Sequence, residues 1–149
     1  MRLRSATPDD LDAICALEQE TFGTDAWSRA ALHEELTADH RAYLALVDDE
    51  RVVGYGGLLA IGADGDIQTI AVAPAVRGTG QGRRLMNALL DEAAARGVRR
   101  MFLDVRADNP VAQSLYASLG FVRIDVRPRY YQPGHVDAIV MRLDLKDRR

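Results

Sequence analysis

The run Arg77-Gly78-Thr79-Gly80-Gln81-Gly82 lies between an apolar segment, Ile67 to Val72, and an amphipathic one, Arg83 to Arg96. A strand, a glycine loop and a helix N-terminus in that order make a site for a phosphate. Glycine permits positive φ and lets a ligand approach the main chain closely. The unpaired N–H groups of the loop and first helical turn then point at an anion, with the helix dipole behind them. Arg77, Arg83 and Arg84 add full positive charges. Spacing excludes two kinds of phosphate loop. The dinucleotide pattern G-x-G-x-x-G fails because Arg83 takes the place of its third glycine. A P-loop needs Gly-Lys-Ser/Thr, and the only lysine of the chain is Lys146. Two readings remain: an Arg-x-x-Gly-x-Gly anion loop (Arg77, Gly80, Gly82) and a ligand-free glycine turn.

The elements that must hold this loop follow from pattern. Arg2 to Ala6 reads as a strand, and Thr7-Pro8-Asp9-Asp10 opens a helix with Thr7 as cap and Leu11, Ile14 and Cys15 on its core face. Ser28 caps a second helix that buries Leu32 and Leu36. Arg41–Val47, Val52–Ile61 and Asp66–Val72 are strand-like, separated by the turns Asp48-Asp49-Glu50 and Gly62-Ala63-Asp64-Gly65, and predict an antiparallel meander. After the loop the period becomes helical, with Leu85, Met86, Leu89, Leu90 and Ala93 on one face and Gly97 as the stop. Arg100–Arg106 is a strand with Phe102, Asp104 and Arg106 on one side. Asn109-Pro110 starts a helix that ends at Gly120, and Tyr116 lies two turns from Asn109 on the same face. Phe121–Arg127 and Val136–Leu145 are the last strands, around a loop Pro128–Gly134.

Bulk properties narrow the function. The 149 residues are 48% hydrophobic and 28% charged, as expected of a single globular domain spanning 1–149. A net charge of −3 supplies no basic field, so direct nucleic-acid binding is not expected. The single cysteine, Cys15, excludes an internal disulfide and reads as a small buried hydrophobe. His33, His40 and His135 lack metal-ligand spacing, so no metal is expected. No apolar stretch approaches the ~18 residues of a membrane helix, and the N-terminus has no signal-peptide core, which leads us to expect a cytoplasmic protein, monomeric or weakly dimeric, without a membrane partner.

The Arg-x-x-Gly-x-Gly loop resembles the pyrophosphate loop of the GNAT acetyltransferases, and the order of elements resembles their fold along the whole chain. The resemblance implies an α+β architecture: a central mixed, mostly antiparallel sheet of six to seven strands flanked by about four helices. It implies acetyl-CoA as donor, held by Ile70, Ala71 and Val72 through their backbone and by Arg77, Gly78, Thr79, Gly80, Gln81, Gly82 and Arg83. A free N–H on that strand, that of Val72, would face the thioester oxygen. Asn109 can cap its helix or bond the cofactor arm; the two roles compete for one side chain, and the cofactor role is favoured. Tyr116, a phenol with pKa near ~10, can return a proton to a thiolate whose conjugate acid lies near ~8.5.

Within that family the chain is most similar to the RimI type, the ribosomal-protein alanine N-acetyltransferases. The segments that carry the likeness are Asp25-Ala26-Trp27-Ser28, Gln68 to Val72, Asp104 to Asn109, Leu115 to Phe121 and Arg129-Tyr130-Tyr131. The likeness implies Asp104 as general base, Tyr116 as general acid, and Trp27, Tyr130 and Tyr131 as walls of the entrance for a protein N-terminus, that of a ribosomal protein. RimI-type enzymes commonly carry glutamate at position 104; the shorter aspartate leaves direct abstraction and abstraction through a water both open. A chain α-amine, with pKa near ~8 against ~10.4 for lysine, makes a mild demand on that base. The loop alone does not separate this acceptor from a lysine or a small amine, nor from a non-catalytic acyl-CoA-binding module.

Overall fold

In a computed structural model of the protein, residues 1–132 and 134–145 are described. Pro133, inside the expected last loop, and residues 146–149 at the end of the expected domain lie outside them. The strands are β1 (Arg2–Ser5), β2 (Arg41–Asp48), β3 (Arg51–Ile61), β4 (Asp64–Val72), β5 (Arg100–Arg106), β6 (Val122–Tyr131) and β7 (Val136–Asp144). The helices are α1 (Leu11–Phe22), α2 (Arg29–Thr37), α3 (Gln81–Ala95) and α4 (Pro110–Ser118). One seven-stranded sheet runs β1-β2-β3-β4-β5-β7-β6. Every pairing is antiparallel except β4 with β5. The expected α+β sheet with four helices is therefore the observed one.

Two apolar clusters build the core, one on each face of the sheet. Leu85, Met86, Leu89, Leu90 and Ala93, the predicted stripe of α3, pack with Leu58, Met101, Leu103, Val105 and Phe121. Leu11, Ile14 and Leu17 of α1 and Leu32 of α2 pack on Tyr43, Tyr55 and Ala71. Each fully buried Leu of these stripes contributes about 1.5–3 kcal/mol relative to an exposed one.

The structure departs from expectation at five places, the first being β4, which starts at Asp64 inside the expected turn because Asp64 and Gly65 pair with both β3 and β5. A 3₁₀ turn over Pro8–Asp10 precedes α1, with the Asp10 carboxylate accepting from Thr7 N–H at 2.9 Å. Cys15 is half-buried at the edge of its cluster rather than fully inside. α3 begins at Gln81, inside the glycine loop, because Gly80 (φ 84°) turns the chain into the helix there. Finally, β6 does not stop at Arg127. Its ladder with β7 is irregular between Arg127 and Tyr131 and resumes at Tyr131↔Val136, so Tyr130 and Tyr131 end a strand rather than sit in a loop. Pro128 is tolerated because β6 is one of the two outer strands of the sheet.

Candidate functional site

β4 and β5 pair in parallel over only Asp64–Asp66 and Arg100–Phe102. Beyond that point no register joins them: Ile67–Val72 ladder to β3 on one side, and Leu103–Arg106 to β7 on the other. The strands splay, and a cleft opens in the middle of the sheet. On the β4 arm the register slips between Gly57↔Thr69 and Leu58↔Ile67, which leaves Gln68 as an extra residue. Such a bulge re-aims the local main chain and side chains. Its support comes from β2: Tyr43 Oη donates to Gln68 Oε1 at 3.0 Å. The Tyr43 ring occupies the space beside Gly57, where an added Cβ would lie 2.2 Å from the ring. Gly57 is therefore required by a close approach.

Two cavities meet at this cleft. The smaller, about 280 Å³, is bordered by Ile70 of β4, Asp104 of β5, Asn109, Ala112 and Tyr116 of α4, and Glu18 of α1. The larger, about 720 Å³, is bordered by Asp66, Asp104, Arg127, Tyr130, Tyr131 and Trp27. Asp104, Trp27 and Tyr131 border both. The residues expected from sequence to do chemistry, Asp104 and Tyr116, thus face one cavity, and the three expected entrance aromatics gather around the adjoining one.

Tyr116 is 8% exposed, packed edge-on to Phe121 with ring centroids 6.1 Å apart. Burial pushes its phenol up to about 12, so it holds its proton throughout the neutral range. Asp104 Oδ2 lies 3.9 Å from an Arg127 guanidinium nitrogen, a loose pairing that leaves the carboxylate available. The Asp66 carboxyl is shifted up from its ordinary value, by burial first and then by the charges of Asp104 and Asp64. Burial, with Asp104 nearby, also pushes Tyr131 up to about 12.

Arg106 joins the two sides of the entrance. It pairs with Asp25 at 2.5 Å and Asp108 at 2.9 Å, and its guanidinium carbon lies 5.3 Å from the centre of the Tyr131 ring. Arg127 lies similarly over Tyr130, at 5.5 Å, and the two tyrosine rings meet edge to face at 5.1 Å. These cation–π contacts fix the aromatic wall.

Asn109 caps α4, its Oδ1 accepting from Ala112 N–H at 3.1 Å. The cap occupies the amide oxygen, so the two roles weighed for this side chain are divided: the oxygen serves the helix, and the residue still borders the smaller cavity.

At the far end of β4 the glycine loop is fastened on three sides. Arg77 Nε donates to Val72 O at 3.1 Å, Thr79 Oγ1 to Val76 O at 2.5 Å, and an Arg83 guanidinium nitrogen to Ser118 Oγ at 2.8 Å. Gly78 (φ 78°) and Gly80 (φ 84°) occupy the left-handed region that L side chains avoid. Gly82 lies within α3, and a Cβ there would touch only Leu115 at 3.7 Å. Gln81 Oε1 is buried without a hydrogen-bond partner among the described residues. Gly80 and Arg83 border a shallow hollow of about 490 Å³ with Arg84 and Asn87. Ala71 is buried in the α1 cluster, so its side chain is core.

Sequence reasoning passed over Glu18. It is 1% exposed, and its carboxylate accepts from Tyr55 Oη, from Thr69 Oγ1 at 2.7 Å and from Trp27 N–H at 2.9 Å. The available signal was periodic: Glu18 follows Leu11 by seven residues and Ile14 by four, on the apolar stripe of α1.

A strand pair that splays beside a bulge, with a positive-φ glycine loop leading into a helix at the end of one arm, is the architecture of an acyl-CoA-dependent transferase. The acetyltransferase (GNAT) family profile matches residues 11–121, and the chain belongs to that family. Acetyltransferases of this family take their acyl group from acetyl-CoA. The chain is 40% identical over 146 residues to the N-alpha-acetyltransferase RimI of Mycobacterium tuberculosis, covering 95% of this chain and 90% of that protein. It is 42% identical over 141 residues to an uncharacterized protein, ML0378, of Mycobacterium leprae; the match covers 91% of this chain but only 38% of that longer relative. Among solved structures, the ribosomal-protein-S18-alanine N-acetyltransferase of Escherichia coli superposes with a TM-score of 0.88 at 30% identity, over 96% of this chain and 92% of that one.

Proposed function

We propose that the protein transfers an acetyl group from acetyl-CoA to the α-amine of a protein N-terminus, the alanine end of a small-subunit ribosomal protein being the acceptor its relatives indicate. The observation that carries this reading is the splay between β4 and β5, with Asp104 and Tyr116 both facing the cavity it opens.

The donor fits the residues present. The unladdered edge of β4, including Ile70, Ala71 and Val72, offers main-chain groups to an extended amide-bearing arm. The loop Arg77 to Gly82 and Arg83 offer N–H groups and cations for a diphosphate. Asn109 borders the same arm's path. Bound there, acetyl-CoA supplies an activated acyl group and a thiolate leaving group.

The remaining chemistry belongs to this chain's residues. Asp104 takes the ammonium proton of the acceptor, directly or through one water, and the freed amine attacks the thioester carbon; the C–N bond forms, the C–S bond breaks, and the second proton of the amine leaves to solvent. A β4 N–H polarises the carbonyl oxygen. Tyr116, protonated throughout the neutral range, gives its proton to the sulfur as it leaves. Trp27, Tyr130 and Tyr131 wall the larger cavity through which the peptide end reaches Asp104.

The test is thiol release from acetyl-CoA with peptides that differ only at the N-terminus. Turnover with free alanine or serine ends, and none when the same end is blocked, is the expected result. Turnover with N-blocked lysine peptides would assign a side-chain amine instead, and thermal stabilisation by acetyl-CoA without turnover on any amine would leave a binding module.

A further inference from the structure

α1 places a carboxylate where its stripe calls for an apolar side chain. Burying a charge is costly unless it is fully hydrogen-bonded, and an apolar residue of similar volume often packs as well or better. At Glu18 both carboxylate oxygens are hydrogen-bonded, and the donors come from three separate parts of the chain. Trp27 N–H belongs to the segment between α1 and α2, Tyr55 Oη to β3, and Thr69 Oγ1 to β4. Burial and the neighbouring Glu18 charge raise the Tyr55 phenol far above its ordinary value, so it remains a donor.

The placement of these donors is specific. Thr69 adjoins Gln68, the extra residue of the bulge, which Tyr43 holds from β2. Trp27 borders both cavities. One side chain therefore ties the outer wall of the acceptor opening to the bulged arm of the cleft. The ladder with β3 holds β4 independently. The segment between α1 and α2 is tethered by Glu18 at Trp27 and by Arg106 at Asp25, with longer hydrogen bonds from Gln19 Nε2 to Gly23 O (3.4 Å) and from Thr24 Oγ1 to Gln132 O (3.5 Å).

We propose that Glu18 is a positioning residue for the acceptor: by holding the Trp27 main chain against Thr69 it fixes the width of the opening that receives the peptide N-terminus. The proposal rests on the acceptor assignment given above. Glu18 borders the smaller cavity, but its carboxylate is taken up by its three donors, so it acts through Trp27 and Thr69. Its effect falls on peptide binding, while the donor site, built on the β4 edge and the glycine loop, is unaffected.

The experiment measures apparent KM for an alanine-ended peptide and for acetyl-CoA in the wild type and in Glu18→Ala, Glu18→Gln and Thr69→Val. The wild type must first turn over the free-ended peptide; if it does not, the acceptor assignment fails rather than this inference. Glu18→Ala removes a charge-assisted bond to Trp27 and should raise peptide KM by about tenfold or more, with acetyl-CoA KM within about twofold of wild type. Glu18→Gln should stay within about threefold on both, because its amide oxygen can accept from Trp27 N–H while its NH₂ meets the two hydroxyls as acceptors. Thr69→Val is nearly isosteric, keeps the fold should Glu18→Ala fail to, and should raise peptide KM by about threefold. An unchanged peptide KM in Glu18→Ala, or in Thr69→Val where Glu18→Ala does not fold, overturns the proposal. So does a parallel rise in both KM values, or a loss in Glu18→Gln as large as that in Glu18→Ala.

Discussion

Replacing Tyr116 with phenylalanine isolates one atom of the proposed mechanism. The ring is 8% exposed and keeps its edge contact with Phe121 in either residue. Its hydroxyl has no hydrogen-bond partner among the described residues, so its removal should change folding stability by less than about 1 kcal/mol. The catalytic effect is larger. A positioned general acid contributes about 10²–10⁴-fold. The leaving thiolate, with a conjugate acid near ~8.5, needs less help than an alkoxide, which places the expected fall in kcat near the lower end, about 10²-fold. Both KM values should hold, since the phenol acts on charge that develops as sulfur departs. The pH profile adds a second check. With its phenol pushed up to about 12, Tyr116 stays protonated well above neutrality, so the wild type should show no loss of rate near pH ~10, where an unperturbed tyrosine would deprotonate. The assay is continuous thiol release across pH, with thermal unfolding measured alongside. A Tyr116→Phe variant that folds normally and retains more than about a third of the wild-type kcat would refute the acid role.

Asp104→Asn should lower kcat/KM by about 10–100-fold near pH 7 and by clearly less near pH 9, where an α-amine with pKa near ~8 is already mostly neutral; an equal deficit at both values would exclude Asp104 as base. Asp66 binds its proton more tightly in the folded protein than in the unfolded chain, so its ionisation opposes folding as pH rises through its raised pKa. Asp66→Asn should therefore raise the unfolding midpoint at neutral pH, and the gain should vanish below the ordinary carboxylate range near ~3.9; a destabilised variant at pH 7 would contradict the assigned cause. In the glycine loop, Gly80→Ala forces a Cβ into the left-handed region and should cost about 1–2 kcal/mol of stability, whereas Gly82→Ala, helical and unobstructed, should gain about 0.5–1 kcal/mol. Both should raise acetyl-CoA KM, and equal stability effects measured by denaturant titration would contradict the backbone argument.

Much of this molecule was legible because its signals are local. The stripe of α3, the Ser28 cap of α2 (Ser28 Oγ accepting from Ala31 N–H at 3.1 Å) and the alternation of β5 each follow from spacing within a few residues. The features that shape the cleft are not local. The end of β4–β5 pairing relates residues more than thirty positions apart, and neither strand's sequence marks where it stops. The Gln68 bulge depends on Gly57 making room for Tyr43, two strands away from it in the order of the chain. Pro128 made the β6 segment read as a loop because proline cannot donate to a ladder, but an outer strand needs no donor on its free side. Glu18 escaped because a lone charge on an apolar stripe is ordinarily a surface residue at the stripe's margin, and only the arrival of Trp27, Tyr55 and Thr69 makes it an interior one.

The early end of β4–β5 pairing gives the sheet an internal edge. From Ile67 to Val72 the main chain is laddered to β3 alone, although five of the seven strands lie on one side or the other of the complete pair. An ordinary exposed edge invites another sheet to align with it and aggregate. Here the β5 arm stands opposite across a cavity of about 280 Å³, so the open amides face the interior of the sheet rather than its rim. An extended chain that enters this cavity can take them up. The protein thus displays strand-pairing capacity in solution while denying it to other folded proteins. Hydrogen exchange of the cleft-facing β4 amides should accordingly be as fast as at an outer edge in the free protein, and slow when one extended ligand completes the ladder.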